Sequence, residues 1–251
     1  MDDFNPHKLT IHVVAPEHAV NFKWEKGWDK VSKNLELKSI DELNSLSLSD
    51  REKYFGISSF EEGMVLILDP INKRYYNATS AVDEIPQNKN RAIDHIASLL
   101  GAKRIERKVV HYDLKKRELA VDGKLNVHAV SANASYKESE KMKTENRFSG
   151  IKEFKGNLTM DGYQKAKDYC EQTGLIHDPA IRRMLEDRNP NHPNRILKES
   201  YNVKLTDEVE GAMEAAFSLS YLKCFSVSAK ICEVISTERC TELSLEIEYG
   251  D

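Results

Sequence analysis

Two hydrophobic periods alternate along this chain, and they divide it into extended and helical stretches. Leu9 to Val14 alternates apolar and polar residues and ends at Ala15-Pro16, the pattern of a short strand. Gly63 to Asp69 reads as a buried strand, Asp69-Pro70-Ile71-Asn72 as a turn, and Arg74 to Thr79 as the returning strand. Between them, Ser49-Asp50-Arg51-Glu52 has the form of a capping box, which predicts a short helix ending near Gly56. Trp24 and Trp28 are spaced as one helix face and read as core anchors. Asn90 to Leu100 sets Ile93, Ile96, Ala97 and Leu100 on one helical face, with Gly101 as its C-terminal cap.

From Lys103 the texture changes. Arg104–Val121 and Lys124–Phe148 are polar-rich and β-like, and Asp122-Gly123 between them is a strong hairpin signal because both turn positions require positive φ. Leu125, Val127 and Ala129 alternate with polar neighbours, whereas the run from Ser131 to Gly150 loses apolar character and reads as an arm projecting into solvent. Met160 to Arg188 is helical with a break at Gly174. Asp178-Pro179 supplies an N-cap and a first-turn proline for the second helix, and Ile181, Met184 and Leu185 supply its inward face. Asn189-Pro190-Asn191-His192-Pro193-Asn194 is a loop.

The stretch from Met213 to Val234 reads two ways. Val209, Met213, Ala216 and Phe217 fit a helical stripe, whereas Phe225, Val227, Ala229 and Ile231 fit period two. One strand from Met213 to Ile231 would span about 60 Å, far beyond ordinary strand length, so a break is expected near Leu222-Lys223. Reflection about Ser236 would set Ala229 against Leu243, Val227 against Leu245 and Phe225 against Ile247, a hairpin with one apolar face. It also sets Cys232 opposite Cys240.

These elements define an α+β chain. The expected arrangement is a smaller N-terminal α+β unit over residues 1–101, then an antiparallel sheet of long hairpins over 102–251. A helical insertion at about 158–200 would pack on one face of that sheet.

Composition narrows the functional classes. Of 251 residues, 40% are apolar and 31% charged, with a net charge of −4, as in a solvated globular protein. The mild acidity argues against nucleic-acid binding, which needs clustered Lys and Arg; runs such as Lys115-Lys116-Arg117 read as solvated faces. The beginning, MDDFNPHKLT, lacks a basic leader with an apolar run, and the longest apolar run, Met64–Leu68, is too short to span a bilayer. With Cys170, Cys224, Cys232 and Cys240 as its cysteines, the chain is expected in a reducing cytoplasm. Cys224 and Cys232 on one strand would lie about 26 Å apart and could not share a metal ion; no Cys-x-x-Cys knuckle occurs, and no metal or cofactor is expected.

One segment gathers polar chemistry. His177, Asp178, Arg182, Arg183, Asp187, Arg188, His192 and Arg195 fall within about twenty residues. Two histidines with acidic neighbours suit a metal or general-base site, and arginines suit a phosphate or carboxylate. The candidate catalytic residues are therefore His177, Asp178, His192 and Arg195, against a simpler reading in which Asp178 caps a helix and the arginines form its solvent face. No Gly-x-Ser-x-Gly, P-loop, Gly-x-Gly-x-x-Gly or His-Glu-x-x-His pattern accompanies them.

The preferred functional reading is a non-enzymatic cytoplasmic interaction or assembly module, with a protein partner or self-association. One alternative is a membrane-active protein that rearranges amphipathic hairpins into a pore. The other is a hydrolase or nuclease centred on the His177–Arg195 segment.

Overall fold

The structure is a computed structural model and describes residues 8–21, 35–116, 119–121, 124–126, 134–193, 195–220 and 229–250. In chain order the elements are β1 (Thr10–Val14), α1 (Pro16–Asn21), β2 (Leu35–Ser39), α2 (Ile40–Asn44), α3 (Leu48–Tyr54), β3 (Val65–Asp69), β4 (Arg74–Asn77) and α4 (Ala78–Leu99). There follow β5 (Ala102–Lys116), β6 (Leu119–Val121), β7 (Lys124–Asn126), α5 (Ala134–Phe148), β8 (Gly150–Glu153) and α6 (Met160–Thr173). A 3-10 turn (Leu175–His177) leads to α7 (Pro179–Asp187), β9 (Lys198–Lys204), α8 (Asp207–Ser220), α9 (Ala229–Ile235) and β10 (Thr237–Tyr249). The chain is α+β, and its described residues form two four-stranded sheets that are mostly antiparallel, with β6 and β7 as a separate pair.

Two compact units form, interleaved in sequence. The first takes Met1–Ile85, Leu114–Ala132 and Asp207–Arg239; the second takes Pro86–Asp113, Asn133–Thr206 and Cys240–Asp251.

The sheet of the first unit has the order β2-β1-β3-β4, with β1 and β2 parallel and the other pairings antiparallel. Every residue of β1 and of β3 is buried, as expected for strands covered on both faces. Alternation sorts β3 between two cores. Val65 and Ile67 join Ala78, Ala81, Ile85 and the α8–α9 residues Val209, Met213, Ala216, Ile231 and Ile235. Leu66 and Leu68 join Ile11, Val13, Leu43, Phe55, Phe60 and Tyr75. His12 is buried within this unit, and burial alone lowers its pKa to about 4, so it sits there as neutral imidazole.

The sheet of the second unit has the order β8-β5-β10-β9. Its β10 pairs antiparallel with β9, with Leu243 opposite Val203 and Leu245 opposite Tyr201. All four are buried, together with Ile105 and Ile247. Helices α4 and α7 cover this face: Asp94 of α4 takes ion pairs from Arg107 and Lys152, and Asp187 of α7 accepts from Tyr201. The opposite face is charged. There Lys198 meets Glu248 at 3.0 Å, Arg104 meets Glu106 at 3.0 Å, and Lys108 meets Glu106 at 3.0 Å. One packed face and one solvated face is the usual condition of an antiparallel sheet.

Several expectations are corrected. Ala229 and Ile231 do not pair with β10. They belong to α9, whose Ile231 and Ile235 stand one helical turn apart in the core, and β9 takes the place on β10. Phe225, Val227 and Cys224 lie outside the described residues, as do Trp24 and Trp28. The first half of that stretch is the helix α8, as the Val209–Met213–Ala216 stripe allows. The run expected as a projecting extended arm is helical from Ala134 to Phe148, since its alternating Lys and Glu suit a solvated helix. The cap of α3 is Ser47, whose Oγ accepts from Asp50 N; the capping box occurs instead at Ser39 and Glu42. Helix α4 begins twelve residues before Asn90 and carries Pro86 inside it. Of the long hairpin expected between Arg104–Val121 and Lys124–Phe148, only β6 and β7 pair, with Val121 opposite Lys124; β5 instead lies between β8 and β10, and Asp122 and Gly123 fall outside the described residues.

Candidate functional site

Within the His177–Arg195 segment the local structure follows from its caps. Gly174 ends α6 with φ of 75°, a left-handed value that favours glycine. The 3-10 turn then delivers Asp178 to the N-cap of α7, where Oδ1 accepts from Ala180 N at 3.0 Å and Ile181 N at 3.3 Å. Its other oxygen, Oδ2, lies 3.3 Å from Nζ of Lys89, a buried lysine of α4. Both oxygens of Asp178 thus serve the fold.

His177 is exposed at the end of the 3-10 turn, and its backbone N–H donates to Gly174 O. His192 is exposed in the following loop, where its N–H donates to Asn189 O. Arg195 is exposed just beyond. Among the described residues no group of three or more His, Cys, Asp and Glu side chains is placed to hold a metal ion.

The segment's inward chemistry centres on Arg188 and Asp187. Arg188 is fully buried, and its guanidinium donates to three backbone carbonyls: Leu100 O at 3.1 Å, Ile196 O at 2.9 Å and Gly250 O at 2.6 Å. It also stacks 4.6 Å from the Tyr249 ring. Such a fork suits carbonyls arriving from three directions, which no ammonium could match as well. Asp187 accepts from the Tyr201 hydroxyl at 2.8 Å and lies 3.7 Å from Arg183, which also reaches Glu199 at 2.9 Å. Burial pushes the Tyr201 and Tyr249 hydroxyls well above their ordinary range, so both stay protonated. Burial likewise pushes the Cys170 thiol up to about 12, which makes it a poor nucleophile.

Of the polar cluster that stood out in the sequence, Asp178, Asp187 and Arg188 form a structural joint, while His177, His192 and Arg195 stand exposed. Asp178 as a helix cap was legible from Asp-Pro. Lys89 was not, since nothing local marks a lysine that folding will bury, and neither was the triple carbonyl contact of Arg188.

A second feature lies at the edge of the same unit's sheet. β8 pairs with β5 through Arg104–Glu153, Ile105–Lys152, Glu106–Ile151 and Arg107–Gly150. It ends the sheet, and all four of its residues are exposed, Ile151 by 58%. Among the described residues no strand pairs with its outer edge. An outer edge of this kind presents backbone N–H and C=O groups available to another chain. The sequence shows no signal for this strand, because four residues after a charged run display no period.

Compared with known proteins, the chain matches no family model, no curated protein and no solved structure.

Proposed function

We propose that the protein is a non-enzymatic interaction or assembly module of the cytoplasm, and that it docks an extended segment of a protein partner along β8. The observation that carries this reading is the β8 edge, exposed at all four residues, with Ile151 as its apolar contact. Strand addition draws affinity from main-chain hydrogen bonds and selectivity from alternate side chains. The sheet beneath is anchored: β5 sends Ile105 into the core and Arg107 to Asp94. A docking strand would therefore meet a fixed template.

The test is co-purification from native extract with the intact chain and with Ile151→Lys. The reading expects a defined partner with the parent protein and its loss from the variant, while both unfold at the same denaturant concentration. A partner held equally by both proteins would place docking elsewhere. No partner and no self-association above background would overturn the module itself.

A further inference from the structure

The register of β8 states which side chains a docking strand would meet. Ile105 is fully buried and lies directly opposite Lys152, so Lys152 shares the helix-covered face; its ammonium reaches Asp94 of α4 at 2.9 Å. Ile151 and Glu153 stand opposite Glu106 and Arg104 on the charged face. The outer edge therefore presents an apolar, a basic and an acidic residue in chain order. The Lys152 side chain is 52% exposed, so its ammonium has room for a second carboxylate beside Asp94.

Residues directly opposite on neighbouring strands stabilise pairing when apolar meets apolar and charge meets opposite charge. A second copy of β8, laid antiparallel about Lys152, would set Lys152 against Lys152 and Glu153 against Ile151. In that register the strand is ill-matched to itself, and its charges favour a different sequence.

We infer that β8 selects an antiparallel extended segment of a protein partner that reads basic, acidic, apolar in its own chain direction. Those residues face Glu153, Lys152 and Ile151 respectively. This rests on the interaction-module reading above and adds the chemistry of the partner.

The probe is a pair of fluorescent peptides, Thr-Thr-Lys-Glu-Val-Thr-Thr and Thr-Thr-Glu-Lys-Val-Thr-Thr, titrated against the full chain by fluorescence polarisation. They have equal composition and differ only in order. The first should bind about tenfold tighter, the combined effect of two matched charge pairs in place of two mismatched ones. Glu153→Lys, checked for an unchanged unfolding midpoint, should turn the preference toward Thr-Thr-Glu-Glu-Val-Thr-Thr over the first peptide. Equal binding of the two original peptides overturns the inference, as does no binding of either up to about 1 mM, the weak end of specific recognition. If the extract partner is still lost from Ile151→Lys in that case, the module reading stands and only the recognition pattern falls.

Discussion

Replacing Arg188 by Met removes the guanidinium while keeping an unbranched apolar stem. The change strands the carbonyls of Leu100, Ile196 and Gly250 and takes the cation from the Tyr249 ring. A hydrogen bond to a charged donor contributes about 1.5–3 kcal/mol, and a buried carbonyl left unmade costs about 1–3 kcal/mol. The Ile196 bond is only partly buried, so water can reach that carbonyl; the Leu100 and Gly250 bonds are fully buried. Two unrelieved carbonyls and one rehydrated one put the loss at about 4 kcal/mol, a large share of a typical domain's stability. Arg188→Lys keeps the charge but offers three donors from one point, and should lose about half as much. The assay is urea unfolding followed by circular dichroism, with native-state hydrogen exchange at the amides around Gly101 and Gly250. If Arg188→Met lies within about 1 kcal/mol of the parent protein, the joint does not hold the fold as argued.

Three other perturbations have definite expected outcomes. His12 has a folded pKa of about 4 against 6.5, so the neutral form is favoured on folding and the stability it secures is complete above pH 6.5. That stability is lost as pH falls toward 4, about 2 kcal/mol of it by pH 5; unfolding curves across this range should flatten by that amount in His12→Phe. Asp178→Asn keeps a side chain able to cap α7 but leaves the Lys89 ammonium buried without its carboxylate, costing about 3 kcal/mol by urea unfolding. Adding Lys89→Met should recover most of the loss, and a double variant as unstable as the single one would contradict the pairing argument. Gly101 has φ of +78°, and an added Cβ would stand 2.7 Å from the backbone nitrogen of Leu158, so Gly101→Ala should lower stability by about 2 kcal/mol. An unchanged thermal midpoint would show that the two backbones separate freely.

What the sequence determined by itself is local. Asp178-Pro179 starts α7 and Gly174 ends α6, because a cap and a left-handed residue act within four residues of chain. The hairpin at Asp69–Arg74 follows from turn chemistry of equally short range. Leu243, Leu245 and Ile247 announced a strand with one apolar face, but any strand of matching alternation could face them. Selecting Lys198–Lys204 over residues 223–231 is a matter of which segment the rest of the fold delivers. Ala229 and Ile231 show the same limit, since two or three apolar residues satisfy period two and a helical turn alike. Ile235 completing the turn against the first unit's core decides for the helix. The burial of Lys89 and of Arg188 belongs wholly to the tertiary structure. A charged side chain is buried only where partners distant in sequence meet it: Asp178 lies 89 residues beyond Lys89, and Leu100 O is supplied from 88 residues before Arg188. No short-range pattern carries that information, which is why the structural roles of Lys89 and Arg188 could not be read along the chain.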